Sequence, residues 1–157
     1  MTTYDWLLFA HVTGAFALLG GAVAAAVFSL SALRRERPSE IAVLLGLTRV
    51  AVVAVVAGSI LTLVFGLWLV HEAHYGYGDG WILAAIALWI VGSVTGEAGG
   101  RRDARTRELA ERLAREGDAA TSELRARLRD PLSLALSYGS GAAMLAILVL
   151  MVWKPGA

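Results

Sequence analysis

The chain has 157 residues, 57% of them apolar and only 17% charged, with no cysteine and a mean hydropathy of +0.64. Soluble domains carry about 25% charged residues, and here 12 of the 14 basic residues are gathered in Arg34–Arg37 and Arg101–Arg129. The long apolar runs between them exclude a water-soluble domain and a disordered chain. The lack of cysteine excludes a disulfide scaffold, thiolate zinc sites and thiol catalysis, and leaves the redox compartment undetermined.

Four runs reach the length of about 20 apolar residues that crosses a bilayer. The first, Trp6–Leu33, is too long for a signal-peptide core and has no basic residue before it, so it reads as a retained span. The second, Ile41–Val70, is long enough that it must tilt or protrude. The third, Trp81–Glu97, is the shortest, and the fourth is Leu132–Trp153. The expected fold is therefore all-α: a single integral membrane domain over residues 1–157, built as a four-helix transmembrane bundle.

Arginine sets the direction. Arg34, Arg35 and Arg37 fill the first connection and nine arginines fill the third, whereas His71–Gly80 has no Lys or Arg. The positive-inside rule places the first and third connections in the cytoplasm and both termini outside. Tyr4, Trp6, Tyr75, Tyr77, Trp81 and Trp153 then fall at the outer interface, where amphipathic rings sit.

Between spans three and four, Leu109, Leu113, Leu124 and Leu128 recur at helical spacing among alternating acids and arginines. Gly117-Asp118 is expected to divide residues 101–130 into a cytoplasmic helical hairpin, and Asp130-Pro131 supplies a cap and a first-turn proline for the last span. Such a hairpin lies along the inner membrane surface or docks a partner. The basic residues are matched by nearby acids, so nucleic acid is not an expected partner. The spans should associate through small residues: Gly14, Gly20 and Gly21; Gly58 and Gly66; Gly92 and Gly96; Ser137, Gly139 and Gly141. Gly92–Gly96 can face a sister span or a second protomer.

Polar groups at membrane depth are costly and so are candidates for function. The three histidines, His11, His71 and His74, fall near one membrane level, at the outer side. His11 shares a face with Gly14, Ala15, Leu18 and Gly21 and should point into the bundle, while His71 and His74 share a face at i,i+3 spacing. Imidazoles on separate helices can hold haem b or a copper or zinc ion, with Glu72, Asp79 and Asp5 as acceptors for the ring N–H groups. They serve equally as interhelical hydrogen-bond donors and interfacial residues. His-Glu-Ala-His lacks the i,i+4 spacing of the zinc-peptidase helix, so peptidase chemistry is rejected. Arg49 and Glu97 should lie at similar depth near the cytoplasmic side, where an interhelical ion pair locks the fold or serves a small transporter. No phosphate-binding glycine loop and no GxSxG motif occurs.

Leu-Leu-Phe-Ala-His-Val-Thr-Gly-Ala (Leu7–Ala15), followed by Gly20-Gly21, resembles the opening of the bacterial four-span family called domain of unknown function 2269. Leu-Met-Val-Trp-Lys-Pro-Gly (Leu150–Gly156) is similar to that family's closing Met-x-x-Lys-Pro, and Arg127-Leu-Arg-Asp-Pro131 also fits. The resemblance implies a protein of the bacterial inner membrane and carries no assigned activity. His11 followed by Gly14 is more distantly similar to copper-resistance-type and haem-associated four-helix membrane proteins.

Three roles follow as expectations. One is a bundle holding haem or a transition metal near the outer face through His11 with His71 or His74. Another is an accessory subunit that packs against a larger membrane complex through its glycine faces or its cytoplasmic hairpin; a homodimer is the alternative assembly, and the one a transporter would use. A third is a small transporter using Arg49 and Glu97. In none does the chain itself catalyse a reaction, unless a bound haem does.

Overall fold

Thr2 opens the first helix as a reciprocal cap: its hydroxyl accepts from the Asp5 amide at 3.3 Å while the Asp5 carboxylate accepts from the Thr2 amide at 2.7 Å. In the computed structural model, which describes residues 2–155, five helices follow one another. They are α1 (Thr3–Ala32), α2 (Pro38–Glu72), α3 (Gly80–Arg115), α4 (Ser122–Leu128) and α5 (Pro131–Trp153). No strand occurs among the described residues, and Gly156 of the closing motif lies outside them. Four helical segments are long and apolar enough to cross a membrane, in agreement with the four expected spans.

α1 and α2 run antiparallel at backbone distance. A Cβ built on Gly14 would stand 2.8 Å from the Thr62 amide nitrogen, and one on Gly21 would stand 2.8 Å from the Ala51 carbonyl. A Cβ on Gly58 would press on the backbone of Gly14 and Leu18. Glycine is what lets these helices meet, as expected where lipid removes any hydrophobic gain from association. α3 pairs with α5 through Gly92, Gly96 and Gly99, which face Ala143, Ser140 and Ser137. The Ser140 hydroxyl donates to the Gly92 carbonyl at 3.0 Å. Gly92–Gly96 therefore faces a sister span of the same chain. Trp89 Nε1 donates to Ser59 Oγ at 2.9 Å and joins α3 to α2. α1 and α5 barely touch, so the bundle is open on that side rather than closed into a ring. Gly20, Gly139 and Gly141, expected to pack, meet nothing within 4 Å within the chain.

The expected separate hairpin is revised in one respect. Its first arm is not a separate helix: α3 runs unbroken through 36 residues from Gly80 to Arg115. Past the apolar segment, helix-favouring Ala, Glu, Leu and Arg continue, with Arg107–Glu111 pairing one turn apart at 3.3 Å. The helix stops where expected. Gly117 takes φ +122°, and the Asp118 amide reaches back to the Leu113 carbonyl at 3.0 Å, closing the terminal turn.

α2 and α3, with 35 and 36 residues, are each about 50 Å long, against a hydrocarbon core of about 30 Å. α5, with 23, is only about 35 Å long. The excess of α2 and α3 gathers at one end. There Ala32, Ile41, Leu45, Leu109, Ala110 and Leu124 form a buried apolar core, flanked by Leu44, Leu113 and Leu128. This second core, here called the cap, joins the end of α1, the start of α2, the second half of α3, and α4.

Asp118 ties the cap together. Arg37, at the N-cap of α2, makes no side-chain capping bond. The Asp118 carboxylate supplies it across the fold, accepting from the Ser39 amide and the Ser39 hydroxyl, both at 2.7 Å. The Ser39 hydroxyl, then its amide, hold the Asp118 carboxyl below the usual carboxylate range. A lowered value means the contribution is present above the ordinary carboxylate pKa and is lost as pH falls through the native one. Asp118→Ala should therefore melt below the parent near pH 7, and the gap should close as pH falls below about 4. Thermal melts of both proteins across pH check this; a gap independent of pH would remove Asp118 as the cap.

Candidate functional site

The interior imidazole is seated by two residues of α2. His11 Nδ1 lies 2.8 Å from the Thr62 carbonyl oxygen. A carbonyl only accepts, so Nδ1 carries the proton and, in the neutral ring, Nε2 is the acceptor. Gly66 forms the floor: a Cβ there would stand 2.9 Å from His11 Cε1 and 3.0 Å from Nδ1. The Thr62 hydroxyl beside it is buried without a hydrogen-bond partner. His11 thus points into the α1–α2 seam, as its small-residue face implies, and clasps the two helices.

The other histidines stand elsewhere. With Gly14 opposite Leu61 and Thr62, and Gly21 opposite Ala51 and Val55, the antiparallel register sets His11 level with Val64 and Phe65. His71 is then roughly 10 Å farther along the bundle, at about 1.5 Å per residue. The expectation of one common level is corrected accordingly. His71 and His74 do not share a helical face either, because α2 ends at Glu72 and His74 adopts a left-handed φ of +59°. The Tyr75 amide bonds the Val70 carbonyl at 3.0 Å around this turn, so His74 occupies the position where helices commonly place glycine. His71, Glu72, His74 and Tyr75 line an open cavity of about 520 Å³.

The donor set for a metal is correspondingly thin. Among the described residues no group of three or more His, Asp or Glu side chains is placed to hold an ion, whereas protein zinc sites use three or four protein ligands. His11 by itself is oriented as ligating histidines are, with one ring nitrogen committed to a carbonyl and the other free.

The expected Arg49–Glu97 pair does not form. Glu97 pairs with Arg101 one turn along the same helix, and Arg49 and Glu97 are both exposed. Ser59 and Trp89 mark the facing sides of α2 and α3. At about 100° per residue, Arg49 and Glu97 are each turned about 80° away from those sides. The register also sets Arg49 level with Ala26 and Val27, under one turn from Ser29. It is near the end of the apolar segments, where an arginine reaches water without a partner.

The aromatic residues split into two groups. Tyr4, Trp6, Tyr77 and Trp153 are exposed, as an interfacial belt requires. Trp81 is only 5% exposed and packs with Val70 and Ile82. Tyr75 meets it edge-on at 5.5 Å, and the Lys154 ammonium sits 5.0 Å from the Tyr75 ring centroid.

One polar residue escaped the sequence reading. Asp103 lies on α3 where Ser29 of α1 and Ser133 of α5 converge, 3.5 Å from each hydroxyl. Beside it Arg102 pairs with Asp130, the cap of α5, at 2.6 Å. Its signal was available: Asp103, Thr106, Ala110 and Leu113 recur at helical spacing, which puts a carboxyl on the face that turns inward.

The family model for DUF2269, described as a predicted integral membrane protein, matches residues 5–155. The chain belongs to this family. Comparison with curated proteins and with solved structures gave no match. The match runs from the first turn of α1 past the end of α5 and spans the cap residues of this DUF2269 member.

Proposed function

We propose that this protein is a non-catalytic accessory subunit of a larger complex in a bacterial inner membrane. The arginine-rich cap lies in the cytoplasm and both termini lie outside. The arginine-free His71–Gly80 connection at the opposite end supports this direction. The observation that carries the reading is the cap. Two spans overrun the bilayer to build a second packed core, and Arg105, Arg112, Arg115, Arg125 and Arg129 on it are exposed and form no ion pair among the described residues. A packed body of this kind, whose exposed arginines lie among the exposed Glu108, Glu116 and Glu123, suits a partner surface of complementary mixed charge.

A second reading is favoured by the seated His11 ring. Its free Nε2 can ligate haem iron or a copper or zinc ion, and the bound group would supply electron transfer or metal handling. His71 and His74, roughly 10 Å farther along the bundle, are the other imidazoles on this side of the molecule. Purification from native membranes in mild detergent tests both readings. The accessory role expects one reproducible partner, lost when Leu124→Ala loosens the cap; recovery alone at every detergent strength overturns it. A Soret band, or bound copper or zinc, that disappears in His11→Ala would establish the second reading instead.

A further inference from the structure

Asp103 sits at the joint between the spans and the cap. Its Oδ2 faces Ser29 Oγ on α1 and its Oδ1 faces Ser133 Oγ on α5, each at 3.5 Å. Since α1 and α5 barely touch, this carboxyl is a polar bridge across the open side of the bundle. Neighbouring carboxylates have cations: Glu97 has Arg101 and Asp130 has Arg102. Asp103 has none within ion-pair distance among the described residues.

The groups around the junction can be named element by element. α1 presents Ser29, and the head of α5 presents Ser133 and Asp130, the latter committed to Arg102. On α3 itself, the Thr106 hydroxyl bonds the Arg102 carbonyl, Arg107 turns to Glu111 and Arg105 is exposed. α2 brings Thr48, bonded to the Leu44 carbonyl, and the exposed Arg49 to this level; Arg129 at the end of α4 is exposed. Nothing in this set neutralises a charge on Asp103.

Hydroxyl bonds of 3.5 Å are long against an ordinary O–H···O distance of about 2.7–2.8 Å, and compensate a charge weakly. Asp103 lies beyond the apolar segment of α3, and burial pushes its carboxyl above the usual range, against the pull of Ser29 and then Ser133.

We propose that Asp103 is a proton-binding latch that holds the end of α1 to the head of α5 when neutral and lets the two part when ionised. The neutral acid can donate to one serine and accept from the other, with no charge to hydrate. The carboxylate needs water, which enters through the open α1–α5 side. The sign follows from the raised value: closure is fullest at low pH and is lost as pH rises. The latch stands independently of what the cap binds.

The absence of native cysteine allows a clean distance measurement. Spin labels at Leu30→Cys on α1 and Leu132→Cys on α5, both exposed, flank the junction. The full chain in lipid nanodiscs is measured at two pH values, one near the ordinary carboxylate pKa of about 4 and one well above it, at about pH 8. The parent should show a longer, broader separation at the higher pH. Asp103→Asn, uncharged and of the same shape, should keep the short separation at both. Ser29→Ala with Ser133→Ala should give the long one at both. A separation that ignores pH in the parent, or a pH response that survives Asp103→Asn, overturns the latch.

Discussion

Replacing Gly58 with alanine is expected to destabilise the fold by about 3 kcal/mol, near the upper end for forcing a methyl group into a packed seam. The added Cβ would meet backbone, not a side chain that can swing aside: the Gly14 carbonyl oxygen at 2.6 Å, Leu18 Cα at 2.9 Å, and the Leu18 amide nitrogen. Two helices must separate, and with them go the contacts along their shared seam. The hydrogen bond from His11 to the Thr62 carbonyl, one turn from Gly58, should lengthen as well. Gly46 is the control, because a Cβ there meets nothing within 4 Å. Where a helix position has room for a methyl group, alanine is favoured over glycine by about 1 kcal/mol, so Gly46→Ala should be neutral or slightly stabilising. Thermal unfolding of the two variants in one detergent checks the contrast. Equal melting temperatures would mean that α1 and α2 do not meet at backbone distance.

The second large effect is expected at Leu124, which is fully buried in the cap core. α4 has only seven residues, too few to stand as a helix by itself in water. It is held by Leu124 against Leu109 and Ala110, and by the Thr121 hydroxyl accepting from the Leu124 amide at 3.3 Å. Leu124→Ala removes that anchor at a cost of about 3 kcal/mol. The loss should be local, because the glycine contacts that join α1 to α2 and α3 to α5 lie outside the cap. Hydrogen exchange should show lost protection in Ser122–Leu128 and at the start of α2, with Ala51–Ile60 unchanged. Loss of protection throughout the spans would show that cap and bundle fold as one unit. A cap that melts while the spans persist also gives the accessory reading its cleanest variant.

Spans, helix stops and caps were legible because they are local. Apolar run length, Gly117-Asp118, and Asp130-Pro131 each act within a few residues, and each appears in the structure close to where the pattern places it. The His11 face was legible for a similar reason: small residues at helical spacing mark a packing side, and α2 lies against it. Pairings across elements were less legible. Arg49 and Glu97 do fall near one depth, yet helical phase turns both away from the α2–α3 contact, and depth alone carries no phase. Trp81 and Tyr75 fit an interfacial belt by composition, whereas packing takes Trp81 into the interior. Asp103 was hidden among fifteen or so charged neighbours, since only the meeting of α1, α3 and α5 distinguishes it.

By itself, the sequence determined that four helices are long and apolar enough to cross lipid, where each apolar helix lies and which connections carry the positive charge. Those outcomes depend on desolvation and backbone hydrogen bonding, which any bilayer imposes on twenty consecutive residues. The tertiary structure alone decided that α3 carries on past the membrane into a cap, that the cap caps α2 through Asp118, and that the bundle stays open between α1 and α5. These depend on helix register and rotation, quantities set by contacts between residues as far apart as Ser29 and Asp103, to which no local pattern is sensitive.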